Sequence, residues 1–235
     1  MSAQAKGTSS DLDQKSFRRM VITRFTGLFI ILGFMFFLPA WTFNYWQAWI
    51  YMLILVVPMI FIVRYLYKYD PELLKRRLRM RERQKTQKLI QTVLWPIFLL
   101  AYITPGFDYR LHWSNVPLTI VIISEVLVLL SYLFIGQVFR TNSYASRIVE
   151  VEKGQKVITT GPYAIVRHPM YLGVLFFYIF SPLALGSYWA LIPALLIVPI
   201  LFIRIRGEEK ELLENLEGYK EYVIKTKYRL VPGIW

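Results

Sequence analysis

Cysteine is absent from this 235-residue chain, and histidine occurs only at His112 and His168. Without thiols there are no disulfides, no thiolate metal sites and no cysteine nucleophile. Two histidines are too few for a histidine-built metal centre, so no metal is expected. Charge is scarce as well: Asp, Glu, Lys and Arg make up 18% of the residues, against about 25% in a soluble domain. Acidic residues are the rarer sign, 15 against 28 basic, for a net charge of +13. What fills the chain is apolar, with 56% hydrophobic and 17% aromatic residues. That is the composition of an integral membrane protein. The positive charge flanks apolar segments, so topology accounts for it and no nucleic-acid partner is expected.

The first 16 residues, MSAQAKGTSSDLDQKS, are polar and small and predict a disordered tail. The apolar run that follows is too long for a signal peptide and ends in no small-residue cleavage site. A spanning helix takes about 20 apolar residues. Such runs lie near 21–40, 46–67, 89–106, 116–137, 170–185 and 187–205. The third is short and carries Pro96, and the last two turn near Gly186-Ser187, where they could also form one re-entrant pair. The expected fold is therefore an all-α, multi-pass helical bundle of five to six spans. Its divisions are the tail 1–16, helices over 17–138 with a basic loop at 68–88, and a C-terminal region over 139–235.

Basic residues set the orientation. Lys15, Arg18 and Arg19 precede the first span; Lys68, Lys75, Arg76, Arg77, Arg79, Arg81, Arg83, Lys85 and Lys88 follow the second. Arg140, Arg147, Lys153, Lys156 and Arg167 follow the fourth, whereas the alternate connections hold only Arg110. The positive-inside rule then places both termini and the long loops in the cytoplasm, with the bacterial inner membrane as the expected location. Three polar clusters converge on that face: Asn142-Ser143-Tyr144, the stretch TGPYAIVRHPMYLG (160–173), and Arg204, Arg206, Glu208 and Glu209.

Pro169 suits the first turn of a helix, where its missing N–H costs nothing. His168 would then stand at a positive helix end, a place suited either to an anionic group or simply to a helix start. Gly161-Pro162 reads as a turn, and Gly173 allows close backbone approach. Arg204 and Glu208, four apart, share a helix face and read either as site residues or as a helix-end ion pair. Leu212, Leu216, Tyr219 and Val223 recur at helical spacing and predict a cytosolic C-terminal amphipathic helix. Glu125, near the middle of a span, should face the bundle interior. Asp70 reads as an N-cap with Pro71 at the first helical position, opening a basic surface helix suited to anionic lipid headgroups.

The order NSYAS, VITTGPYAIVRHPMYLG, RIRGEEKELL and RLVPGIW resembles the isoprenylcysteine carboxyl methyltransferase family, over about residues 139–235. Related phospholipid methyltransferases share the GPY, RHPxYxG and Glu-Glu elements. The resemblance implies an S-adenosylmethionine pocket facing the cytosol and a lateral opening for a lipophilic substrate from the bilayer. Carried over by motif, the cofactor contacts fall on Gln155, Val157, Ile158, Tyr163, His168, Pro169, Met170, Tyr171 and Glu208, with Glu209 beside them. Arg204 would hold the substrate carboxylate, and Arg204 and Glu208 would be the catalytic pair. Gln155 stands where the family's eukaryotic members have histidine.

Methyl transfer from a sulfonium is an in-line displacement that depends mainly on positioning. A carboxylate acceptor is already ionised at neutral pH, whereas a phosphatidylethanolamine amine must first lose a proton. The residues therefore lean toward a carboxylate, with a phospholipid N-methyltransferase as the alternative. A sterol-type reductase is a second alternative, in which the basic residues over 75–88 would hold the NADPH phosphate.

Overall fold

The computed structural model describes residues 3–78, 85–145 and 151–235, with side-chain environments from Arg19 onward except at 85–88 and 91. Among the described residues there is no strand. The helices are α1 (Ala3–Ala40), α2 (Trp46–Tyr69), α3 (Pro71–Leu78), α4 (Lys85–Leu111), α5 (Leu118–Thr141), α6 (Pro169–Ala184), α7 (Leu191–Asn215) and α8 (Tyr219–Lys225), with a short 3₁₀ turn at Gly161–Ala164. The segments Arg19–Ala40, Trp46–Tyr69 and Leu118–Thr141 are long and apolar enough to cross a membrane, and Pro169–Ala184 is a shorter apolar helix.

The burial pattern is that of a bundle in lipid. Phe34 and Leu38 of α1, Leu53 and Phe61 of α2, and Ile122, Val126 and Leu133 of α5 point outward and exposed. The inward face of α5 instead carries Ser124, Glu125 and Ser131. A helix apolar all round has no solvent face to hide, so its polar and small residues mark the side that meets other helices. Polar groups meet inside the bundle accordingly: the Tyr51 hydroxyl lies 2.9 Å from that of Tyr102 and 2.6 Å from Ser181 Oγ. Two glycines permit the closest crossings. A Cβ on Gly106 would stand 2.6 Å from the Phe36 carbonyl oxygen, where α4 crosses α1. One on Gly173 would stand 2.7 Å from Ile135 Cγ1, where α6 crosses α5.

The structure redraws several predicted boundaries. Helix α1 runs back to Ala3 through the tail expected to be disordered. The span predicted at 89–106 becomes a 27-residue helix that continues through both Pro96 and Pro105; membrane helices tolerate such breaks because neighbours satisfy the freed carbonyls. The last apolar helix starts at Leu191 rather than 187, because the turn consumes the intervening residues. There Ser187 Oγ donates to Asp108 Oδ2 and accepts from the Ala190 N–H. Asp108 also accepts from the Ser114 N–H and hydroxyl, both at 2.7 Å. One buried carboxylate thus ties the α4–α5 loop to the α6–α7 turn.

At the basic end of the bundle, α7 continues past its apolar stretch to Asn215. The single amphipathic helix predicted through 212–223 is broken instead. Gly218 adopts φ 80°, a left-handed conformation that ends one helix and starts the seven-residue α8. Leu216, Tyr219 and Tyr222 still bury together against Val157 and Tyr163. Helix α3 begins as its sequence predicts, with Asp70 Oδ1 accepting from the Leu73 N–H at 3.0 Å and Leu73 and Leu74 buried.

Candidate active site

His168 caps α6 and Pro169 opens it, as the Arg-His-Pro triplet predicts. The preceding loop is pinned to the C-terminal tail by backbone pairing. The Arg167 N–H donates to the Tyr228 carbonyl at 2.9 Å, and the His168 N–H donates to that of Arg229 at 2.8 Å. The Arg167 side chain, fully buried, donates from Nη1 to the Thr226 and Lys227 carbonyls at 2.8 and 2.7 Å. Its Nε donates to Glu209 Oε1 at 2.6 Å, and Arg229 Nε donates to Glu209 Oε2 at 2.5 Å. Burial alone would raise the Glu209 carboxyl, but contacts with His168, Arg167 and Arg229 outweigh it and hold the pKa down at about 2. His168 Nε2 lies 3.4 Å from Glu209 Oε1 without the alignment of a hydrogen bond, and it is buried.

Beside this brace lies an open cleft with about 830 Å³ of empty space, walled by α7, α8, the 155–163 segment and the start of α6. Of the predicted cofactor contacts, Gln155, Val157, Ile158, Tyr163, His168, Met170, Tyr171 and Glu208 line it, as does Arg204. Two do not. Pro169 is buried in the first turn of α6, and Glu209 faces the arginine brace rather than sharing the Glu208 face. A residue next in sequence on a helix points about 100° away, which the paired Glu-Glu motif could not reveal.

Arg204 and Glu208 meet on a third group. The Tyr171 hydroxyl donates to Glu208 Oε2 at 2.6 Å and accepts from Arg204 Nε at 3.0 Å. Sequence reading paired the two charges directly and missed this link, because it spans two helices. Asn142, from the first of the three polar clusters, donates from its amide to the Tyr163 hydroxyl at 2.8 Å; sequence reading missed Tyr222, whose hydroxyl donates to the Tyr163 carbonyl at 2.7 Å. Burial raises the phenols of Tyr163 and Tyr219, and pushes that of Tyr222 up to about 12. All three therefore remain protonated donors at neutral pH. The Tyr219 hydroxyl lines the cleft, buried and without a hydrogen-bond partner.

A second cavity, with about 1270 Å³ of empty space, runs between α1, α4, α6 and α7. Leu28, Leu94, Trp95, Phe98, Val174, Tyr178, Ile197 and Leu201 make it apolar. Met170, Tyr171 and Arg204 line both cavities, so the polar cleft and the apolar groove meet at those three side chains. Of the basic run assigned to an NADPH phosphate, residues 79–84 lie outside the described residues. Among the described residues no group of three or more potential metal ligands occurs.

Fold and site together define an all-helical integral membrane protein with a polar cleft at one end and an apolar groove opening into it. Residues 118–214, from the start of α5 to the end of α7, match the model of the isoprenylcysteine carboxyl methyltransferase family. That match covers less than half of the chain and falls on the segment that carries most of the motifs of the resemblance. The solved structure of the eukaryotic intramembrane Ras methyltransferase ICMT, without a monobody, is similar at 19% identity and a TM-score of 0.43. That similarity covers 93% of this chain and 86% of the other. No curated protein matches the sequence.

Proposed function

We propose that this chain is an S-adenosylmethionine-dependent methyltransferase whose acceptor is a lipophilic carboxylate. The observation that carries this reading is the meeting of the polar cleft and the apolar groove at Met170, Tyr171 and Arg204. A transferase joining a water-soluble donor to a membrane-dissolved acceptor needs two such compartments with one shared wall.

The residues of the cleft fit the cofactor. A zwitterionic, sulfonium-bearing molecule calls for an anion, a partner for its carboxylate and apolar surface for its base. Glu208 supplies the first. The Tyr219 hydroxyl, buried and without a hydrogen-bond partner, is available for the second, and Val157, Ile158 and Leu212 for the third. The sulfonium methyl is the chemistry that the bound cofactor supplies. The chain's own part is to position and to exclude water. The Tyr171 hydroxyl, fixed between Glu208 and Arg204, sets the spacing between the donor side and the acceptor side. Arg204 presents a planar guanidinium to the acceptor carboxylate, and removal of water strengthens that contact. The carboxylate needs no base.

An amine acceptor would need one, and Glu209 does not serve, being held by two arginines. Of the candidate bases His168, Tyr171 and Glu209, this removes one, and a carboxylate acceptor needs none of them. The test is equilibrium binding to purified protein in detergent, S-adenosylhomocysteine against NADPH. Binding of S-adenosylhomocysteine is expected, weakened about tenfold or more by Glu208→Gln, since a charge-assisted hydrogen bond is worth about 1.5–3 kcal/mol. Binding of NADPH with none of S-adenosylhomocysteine would overturn the proposal in favour of a reductase.

A further inference from the structure

Helices α2 and α5 end side by side at the basic end of the bundle, and they cross closely there: a Cβ on Gly136 would stand 3.0 Å from Ile62 Cδ1. Within two turns of that crossing α2 carries Arg64 and Lys68 and α5 carries Arg140, all three exposed. Two of these cations close a row of stacked side chains. The Arg140 guanidinium lies 5.2 Å from the centre of the Tyr65 ring, the Tyr65 and Tyr69 rings lie 4.9 Å apart, and Lys68 Nζ lies 5.0 Å from the centre of the Tyr69 ring. Contact with a ring fixes the place of a cation without cancelling its charge.

The acidic complement is absent from these two helices at this end. Helix α2 has no Asp or Glu, and Glu125, the acid of α5, lies about 22 Å before Arg140 along its helix, at about 1.5 Å per residue. Asp70, the next acid along the chain from Lys68, accepts from the Leu73 N–H. Among the described residues, Arg64, Lys68 and Arg140 make no hydrogen bond or ion pair. The basic residues of α3 are engaged by contrast: Lys75 pairs with Glu72 at 3.1 Å, Arg76 pairs with Glu152 at 2.6 Å, and Arg77 Nη1 donates to the Ala145 carbonyl at 3.4 Å.

Both α2 and α5 are long and apolar enough to cross a membrane, so their ends stand at the level of the lipid headgroups. Below Arg64 and Lys68 the same face of α2 continues with Phe61 and Val57, apolar and exposed. On α5 the exposed Leu133 lies two turns before Arg140. A row of fixed cations above a lipid-facing apolar strip is complementary to an amphiphile with an anionic head and acyl chains. A choline head would bring a like charge to the row, and a soluble phosphate would leave the strip unfilled.

We propose that Arg64, Lys68 and Arg140, with the Tyr65–Tyr69 pair, form a binding site for an anionic phospholipid of the leaflet at this end of the bundle. None of the five residues lines the cleft or the groove, so the site stands whether or not the chain transfers methyl groups.

Native mass spectrometry of the purified protein in uncharged detergent tests it, with dioleoyl phosphatidylglycerol, dioleoyl phosphatidylcholine and glycerol 3-phosphate titrated separately. A basic side chain near a lipid surface is worth about 1 kcal/mol, or about fivefold in affinity. Phosphatidylglycerol is therefore expected to half-occupy its first site at a concentration about tenfold or more below phosphatidylcholine, and glycerol 3-phosphate to give no retained adduct. Arg64→Gln with Arg140→Gln should raise the phosphatidylglycerol concentration about tenfold or more and leave that of phosphatidylcholine within about twofold. Lys220→Gln with Lys225→Gln removes the same charge from the exposed side of α8 and should shift phosphatidylglycerol by less than about twofold. Equal retention of the two lipids, or an unchanged phosphatidylglycerol titration in the folded arginine pair, overturns the proposal. An equal loss in the α8 pair also overturns it, because net charge alone would then attract the lipid. Tight binding of glycerol 3-phosphate overturns it in favour of a soluble phosphate ligand. If the arginine pair fails to fold, judged by its thermal melt, Lys68→Gln takes its place, with a loss of about fivefold expected and an unchanged titration refuting the site.

Discussion

Glu209→Gln removes one negative charge from a pocket that holds two arginines, and the structure allows its cost to be worked out. Glu209 accepts from Arg167 at 2.6 Å and from Arg229 at 2.5 Å, and the Arg167 side chain is only 4% exposed. Glutamine keeps the size and one acceptor oxygen but leaves Arg167 a buried cation with no counter-charge, held by neutral acceptors such as the Thr226 and Lys227 carbonyls. Breaking a buried ion pair from one side costs about 3–5 kcal/mol. Arg229 is partly exposed and recovers water, so the low end applies. In a chain of this size about 3 kcal/mol corresponds to a fall in Tm of roughly 6–12 °C. The same contacts also depress the carboxyl's pKa. Its folded pKa of about 2 lies below the ordinary 4.5, a gap worth about 3 kcal/mol. The sign follows from the direction: a depressed acid stabilises the fold above pH 4.5, and that contribution drains away as pH falls from about 4.5 toward 2. Thermal unfolding of the purified protein at pH 7 and across pH 6–3 measures both. Glu209→Gln should lower Tm at pH 7 and flatten the acid limb. It should loosen cofactor binding less than Glu208→Gln does, because Glu209 faces the brace and Glu208 the cleft. A variant with unchanged Tm whose S-adenosylhomocysteine affinity falls as far as that of Glu208→Gln would refute the reasoning and return Glu209 to the cofactor.

Arg204→Lys should leave S-adenosylhomocysteine affinity within about threefold yet lower kcat/KM for a carboxylate acceptor at least tenfold, about 1.4 kcal/mol, because lysine cannot copy the planar fork. Parallel loss of both in calorimetry and turnover would make Arg204 a support for Glu208 alone. Gly106→Ala forces a methyl against the Phe36 carbonyl oxygen and Pro39, and should lower stability by about 1–3 kcal/mol in a thermal melt; an unchanged Tm would mean that α1 and α4 separate freely. Single cysteines placed in this cysteine-free chain at Asn44 and Asn115 should react with an impermeant maleimide added outside intact cells, whereas one at Lys153 should not. External labelling at position 153 would reverse the orientation.

Much of this protein was legible as text because a bilayer imposes a simple rule. A run of apolar residues must span or hide, so α1, α2 and α5 stand in the sequence as lengths of Ile, Leu, Val and Phe. Local chemistry was equally readable: Pro169 opens α6, Asp70 caps α3, and the Arg-His-Pro and Glu-Glu motifs locate the cleft. Each of these depends on residues a few positions apart, where one backbone fixes the geometry. What only the tertiary structure decided depends on direction across helices. Adjacent glutamates on α7 diverge, Glu208 into the cleft and Glu209 into a clamp made by Arg167 and Arg229. The charges of Arg204 and Glu208, one turn apart, are joined through a tyrosine on another helix. The left-handed turn at Gly218 breaks a periodicity that ran on without interruption in the sequence. Arg77, one of many basic residues on this helix, reaches the groove because it shares the face of α3 that Leu73 and Leu74 bury against the bundle. Composition and spacing determine that a segment is a helix and that it crosses the membrane. Which way a side chain points is settled by what the other helices place beside it, and that information lies scattered over residues far apart in the chain.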